Sequence, residues 1–429
     1  MSLYRRWIGG SGDVVAGYTS SIADDAEIAA EVVEVMKAHV KHLIEAGAVP
    51  RADGEEILAV LGQLNPADLI RQGYEDVHEA LEDYLIKRLG PKGGWVGLGR
   101  SRNDHVAAAI RLRLLKHIDA AMRAAEEVKC AAAERALEYA DCVMPSFTHF
   151  QPAQPITYGH YLMALYELMA DFADALSAVR GIVDKSPLGS GPAGGTAVPL
   201  NRRRLAELAG FGEVAVNTLY ASSSRFFAGL AASAAASMLA ELSRFVDDFV
   251  AWSSPLIGYL QLPDEHVSTS SIMPHKRNPV TLEVLRARIS EALADALALL
   301  AVQEKIGYGY SLDLQEATRH LWRVFKTAEE GLAVLADVVK RARFNCEKAY
   351  GDAARYPTTS SDAAERMALG GTPFRDAYFK VAEAVKAGRA ELPDPREAVK
   401  RPVSGSPDPQ EVRRAAEEGL RSCGGRRAS

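Results

Sequence analysis

Ala228-Gly229-Leu230-Ala231-Ala232-Ser233-Ala234-Ala235-Ala236-Ser237 puts a small side chain on nearly every face of a helix. A helix so uniform has no polar face to turn to water, so it is buried among other helices or packed at an oligomer interface. It belongs to a set of long, alanine-rich helical patterns running from about Asp104 to Ala140, Tyr158 to Val183, Ser223 to Ser253 and Thr281 to Gln303. Coiled coil competes, but the heptads are not sustained and the linking segments are rich in Gly and Pro. The expected fold class is all-α: three mostly helical domains around a central long-helix bundle.

Outward from that centre the pattern stays helical. Ile28, Val32, Val35, Met36, Val40, Leu43 and Ile44 recur at amphipathic spacing from Asp24 to Ala46. Ala46-Gly47-Ala48-Val49-Pro50 then supplies Gly and Pro where a C-cap places them. Further helices follow from about Gly54 and from Asp76 to Leu89. Breaks near Gly90-Pro91-Lys92-Gly93-Gly94 and Arg355-Tyr356-Pro357 suggest domains at 1–104, 105–350 and 351–429, with a loop at 264–281 in the second.

A chain of 429 residues, 48% hydrophobic and 25% charged, has an ordinary globular composition, and its length suits two or three domains. The net charge of -6 disfavours nucleic acid as the main partner. Cys130, Cys142, Cys346 and Cys423 show no CxxC pairing and no zinc spacing, so they are expected to be free thiols in a reducing cytosol. No apolar stretch follows the first residues as a signal peptide requires, and no run reaches the roughly 18 apolar residues of a membrane span. A cytoplasmic location is expected. The chain has only six asparagines, which hints at a thermophilic source. Asn103, Asn217 and Asn278 fall in unusual segments.

Three inter-helix segments are too chemically mixed for simple connectors. Gly99-Arg100-Ser101-Arg102-Asn103-Asp104 precedes a long helix. Asn103 or Asp104 could be only an N-cap, but arginines and free amides at a helix N-terminus also make an anion site. In Thr148-His149-Phe150-Gln151-Pro152-Ala153-Gln154-Pro155 the prolines prevent a helix, leaving His149 on stiff irregular backbone. Such a histidine is either structural or a proton carrier. Ser270-Ser271-Ile272-Met273-Pro274-His275-Lys276-Arg277-Asn278-Pro279 reads as a solvated loop or as a mobile lid. Glu283 follows in the first turn of the next helix, to complement its dipole or to reach an imidazole.

Together these segments resemble the fumarase/aspartase superfamily, whose hallmark GSSxMPxKxN is matched by Ser270 to Asn278, with Thr269 in place of the leading glycine. Within it the chain is similar to the argininosuccinate lyase family over nearly its full length. Gly99 to Asp104 match GRSRND, Thr148 to Ile156 match THxQxAQPI, and Pro187-Leu188-Gly189-Ser190-Gly191 matches PLGSG. Tyr310 to Glu316 resemble YNxDxQE, and Gly371 to Ala377 resemble GxPFRxA. The resemblance implies a homotetramer with a twenty-helix core, sites shared between subunits, no metal and no organic cofactor. It implies reversible cleavage of argininosuccinate to arginine and fumarate, the last step of arginine biosynthesis.

Such an elimination removes a weakly acidic proton beside a carboxylate, so the site needs donors where negative charge gathers. By family position these are Lys276 and Asn278, with Ser101, Arg102, Asn103 and Thr148. Ser270 maps onto the proposed base and His149, oriented by Glu283, onto the other proton-transfer partner; which is base and which acid stays open. Ser21, Tyr310 and Gln315 match substrate-contacting residues, and His78 a secondary one. A lysine expected three residues after Gln315 is Thr318, with Arg319 beside it, and Ser224 replaces an expected aspartate. Alternatives are adenylosuccinate lyase chemistry on a nucleotide, or a catalytically silent relative of the kind recruited as a lens crystallin.

Overall fold

A computed structural model describes residues 12–304 and 306–425. The long helices form as the alanine-rich periodicity requires: Arg102–Glu138, Tyr158–Val183, Phe226–Ser253 and Val280–Gln303. A fifth, Asp313–Arg341, joins them. Its amphipathic pattern buries Leu314, Leu321, Val324 and Phe325 on one side. The alanine stretch is interior, with Ala231, Ala232 and Ala235 fully buried. This Phe226–Ser253 helix is long and apolar enough to cross a membrane by length and composition. More than half of its most apolar window is nevertheless buried within the fold, as in a core helix.

Contact density divides the chain into two compact units. The first holds residues up to Ala120, Ala175–Ala236 and Glu291–Thr327; the second holds Ala121–Asp174, Ser237–Ser290 and the chain from Ala328 on. The boundaries fall inside the long helices rather than at the Gly/Pro breaks, because neighbouring helices, not chain punctuation, decide which residues touch.

Helix ends explain the sparing use of asparagine. Asn65, Asn201, Asn217 and Asn345 each cap a helix N-terminus, their side chains accepting from Ala67, Arg204, Tyr220 and Lys348 N–H groups. Asn217 is therefore a cap. Asn103 and Asn278 are the two of the six that have no such duty.

The cysteines correct the free-thiol expectation. Cys130 is bonded to Cys423, and Cys142 to Cys346, across sequence separations of 293 and 204 residues. Their Cα atoms lie 5.9 and 5.2 Å apart, inside the range a disulfide requires. Local spacing rules could not show them, since both pairs are made by tertiary packing.

Candidate active site

In the first unit the Gly99–Asp104 segment is ordered by carboxylates. Asp104, in the first turn of Arg102–Glu138, is fully buried. Its Oδ1 accepts from Ser101 N at 3.0 Å, and its Oδ2 from Gly189 N and Gly191 N at 3.1 and 3.0 Å. The Pro187–Gly191 turn is thereby tied to this helix start. Gly191 has φ +57°, and a Cβ there would meet Gly195 O at 2.4 Å, so no other residue fits. Burial pushes the Asp104 carboxyl up to about 6, although three backbone N–H groups and Arg100 oppose the shift.

Both arginines of the segment turn to carboxylates rather than to an open anion site. Arg100, nearly buried, donates from Nη2 to Glu82 Oε2 at 2.6 Å and from Nε to Val96 O at 2.7 Å. Arg102 donates from Nη1 to Asp76 Oδ2 at 2.6 Å, while Asp76 Oδ1 caps the Val77–Leu89 helix by accepting from Glu79 N. Ser101 Oγ accepts from Asn103 N, and Asn103 Nδ2 donates to Pro192 O at 3.4 Å. Ser21 Oγ donates to Asp25 Oδ2 at 2.9 Å, which also accepts from Val77 N. Tyr310, just ahead of Asp313–Arg341, feels the charges of Arg225, Asp76, Arg102 and Asp25. Gln315 lies in the first turn of that helix. His78 is fully buried, and among the described residues neither ring nitrogen has a hydrogen-bond partner; burial pulls its pKa down to about 4.

Asp25 was not singled out from sequence. Burial, with Asp76 and Asp24 nearby, raises its pKa to about 7 against the hydrogen bonds from Val77 and Ser21. Because the folded value exceeds the unfolded one, folding becomes less favourable as pH rises from about 4 to about 7, and the loss is constant above. Asp25→Asn keeps an acceptor oxygen for Ser21 and Val77. Relative to wild type it gains unfolding free energy across that pH window, on the order of 4 kcal/mol by pH 8. Urea unfolding at pH 5 and pH 8 checks this; an unchanged difference between the two pH values would reject it.

The second unit holds the other candidates. Thr148 to Gln151 form not irregular backbone but the tip of an antiparallel hairpin, Val143–Thr148 against Gln151–Thr157. His149 and Phe150 occupy the turn with φ of 54° and 57°. Positive φ at both central residues is the turn that matches hairpin twist, usually supplied by Asn-Gly. A histidine and an exposed phenylalanine held there mark a tip kept for something other than turn stability. The prolines that forbid a helix are tolerated in this small two-stranded sheet.

The 264–281 loop closes on itself. Ser268 and Asn278 exchange backbone hydrogen bonds at 3.0 and 2.8 Å, pinching its base. Inside, Ser270 Oγ accepts from the N–H groups of both Ile272 and Met273 at 3.3 Å. Residues 271–277 are exposed, Ile272 by 82%. Lys276, Asn278 and Glu283 line a cavity of about 810 Å³ together with His275, Arg277 and Arg343. His149 and Glu283 are not brought together: among the described residues no hydrogen bond joins them, and Glu283 is exposed. Sequence reading also missed His266, buried at the loop's root, where Nδ1 meets Thr281 Oγ1 at 2.9 Å and Nε2 meets Asp337 Oδ2 at 2.7 Å. Asp337 lies 71 residues away in sequence, so no local pattern could have paired them.

Residues 11–293 match the family model described as a lyase. The chain is 61% identical to the argininosuccinate lyase of Pyrobaculum aerophilum over 424 residues, 99% of each chain. It belongs to the argininosuccinate lyase family. The family's Sulfolobus acidocaldarius enzyme is 41% identical, covering 95% of this chain and 90% of that one. Among solved structures, EDDS lyase in complex with formate superposes with a TM-score of 0.83 at 26% identity, over 94% of this chain and 87% of that one. A class II fumarase from Schistosoma mansoni shares the fold, with a TM-score of 0.73 at 15% identity over 87% and 86%. The argininosuccinate lyase family thus supplies the frame in which both groups of residues are read.

Proposed function

We infer that this chain catalyses the reversible elimination of arginine from argininosuccinate, releasing fumarate. The observation that carries the chemistry is the Ser270 hydroxyl under two loop amides. A serine serves as a base only if its alkoxide is stabilised, and N–H dipoles aimed at Oγ provide that once solvent is excluded. In this reading Ser270 takes the proton beside the carboxylate while Lys276 and Asn278 meet the charge that gathers there. His149 gives a proton to the departing nitrogen, and Glu283 sets its orientation on closure. Thr148, Ser101, Arg102 and Asn103 hold the succinyl part, and Ser21, Tyr310, Gln315 and His78 the arginine part. The three-domain division at 1–104, 105–350 and 351–429, action without metal or organic cofactor and a cytoplasmic location complete the proposal.

Offering argininosuccinate and adenylosuccinate separately, and following fumarate absorbance, tests the reading. Fumarate appears from the first; release from adenylosuccinate alone would overturn it, and release from neither would leave the crystallin-like alternative.

A homotetramer with a twenty-helix core is supported by Leu293, Leu297 and Leu300 on Val280–Gln303, which are 38%, 68% and 45% exposed in the single chain. Their spacing aligns them in one apolar stripe that needs a partner. Leu297→Glu is expected to shift the assembly to smaller species by light scattering. An unaltered mass would show that the stripe is not an interface.

A further inference from the structure

We propose that His266 is a positioning residue for this reaction: it pins both stems of the 264–281 loop to the Asp313–Arg341 helix. Only the segment between Ser268 and Asn278 then moves when the loop closes on substrate. The inference rests on the argininosuccinate reading above, in which Ser270 and Lys276 ride on that segment. His266 ends the short turn Asp264–His266 that leads into the loop, and it is 7% exposed. Its Nε2 meets Asp337 Oδ2 at 2.7 Å, near the C-terminal end of Asp313–Arg341. Its Nδ1 meets Thr281 Oγ1 at 2.9 Å, in the first turn of Val280–Gln303. A carboxylate only accepts, so Nε2 donates to Asp337 and a charged partner sets the ring's orientation. The Thr281 hydroxyl also lies 3.3 Å from His266 O, so ring and backbone of one residue hold the start of the next helix.

The other ties at the loop's root join two parts at a time. Arg277 Nη2 donates to Asp264 Oδ1 at 2.7 Å and to Leu262 O at 3.2 Å, stem to stem. Arg341 Nη2 pairs with Glu265 Oε1 at 2.7 Å, helix to first stem. Both ion pairs are open to water and screened, so they constrain little. Among the described residues no other side chain at this root is hydrogen-bonded to both the second stem and the helix.

The pin decides which groups move. Ser268 and Asn278 exchange backbone hydrogen bonds at 3.0 and 2.8 Å and form the natural hinge, with residues 271–277 exposed beyond it. Asn278 and Glu283 flank Thr281 and stay where the helix start places them, while Ser270 and Lys276 swing toward them. Without the pin the hinge spreads into Val267 and Val280, and the two sets of groups no longer meet in register. A misplacement of about 1 Å costs up to about a hundredfold in rate.

His266→Leu keeps the buried bulk and removes both ring bonds. It is expected to lower kcat for argininosuccinate cleavage about 10- to 100-fold and to change KM by less than about threefold, because the misplaced groups act on charge that develops in the transition state. Hydrogen exchange read by mass spectrometry is independent of turnover. Peptides holding Ser268 and Asn278 exchange faster in the variant, while the Val143–Thr157 hairpin and the Tyr158–Val183 helix keep the wild-type rate. His266→Gln, whose amide still donates to Asp337, recovers part of both effects. Thr281→Val added to His266→Leu costs nothing further, since the two act through one bond. Should His266→Leu fail to fold by circular dichroism, Thr281→Val alone shows the same pattern at smaller amplitude. Stem exchange left unaltered, or raised equally through the whole second unit, would overturn the proposal. So would a raised KM with kcat unchanged. A wild type that releases no fumarate from argininosuccinate would instead remove the functional reading and leave the exchange result standing, so the two failures are distinguishable.

Discussion

Ser270→Ala is expected to lower turnover by on the order of a thousandfold while leaving the melting curve and the assembly unchanged. The hydroxyl is held by the Ile272 and Met273 N–H groups in a segment that is otherwise exposed. Removing it frees two amides that water satisfies, so little stability is lost. The chemical step is affected far more, because among the described residues no other side-chain oxygen in the loop accepts from two backbone N–H groups. Fumarate release at saturating argininosuccinate measures the effect, and a variant within tenfold of wild type would move the base role elsewhere. His149→Asn separates the two proton carriers. If Ser270 is the base and His149 the acid, the histidine variant loses least with a substrate whose leaving group needs no proton.

How much of this was legible in the sequence varies with the range of the interaction. The Phe226–Ser253 and Tyr158–Val183 helices could be read because periodicity and alanine content are local. Asp104 could be read only as a cap or a site residue; its contacts with Gly189 and Gly191, 85 and 87 residues on, decide that it is a structural clasp. The hairpin at Thr148 to Gln151 was hidden because its turn uses His149 and Phe150 at positive φ, against residue preference. Ser270 was found by motif, but the amides beneath it are a matter of loop shape. Asp25 and His266 were not assigned at all. Each is defined by burial and by a partner on another segment, Val77 for Asp25 and Asp337 for His266, and neither property has a local pattern.

The long-range cysteine pairs give the second large expectation, on stability. Cys423→Ser releases the Pro409–Gly425 helix from Cys130 in Arg102–Glu138. Cys346→Ser releases the Cys346–Arg355 helix from Cys142, just ahead of the hairpin strand Val143–Thr148. Cross-links over such separations restrict the unfolded chain strongly, so each loss is expected to cost about 2–5 kcal/mol. The bonds are nested, Cys142–Cys346 lying within the segment that Cys130–Cys423 spans. In the chain-entropy account each bond shortens the loop that the other must close, so the double variant loses at least the sum of the two single variants. Thermal scans with and without reductant measure this, and wild type in strong reductant should approach the double variant. Thiol titration of the denatured, unreduced protein provides the direct check: no free thiols are expected before reduction and four after it. Four reactive thiols without reductant would return the cysteines to the free state that their spacing suggested. The stability of the second unit would then rest on its helix packing without cross-links.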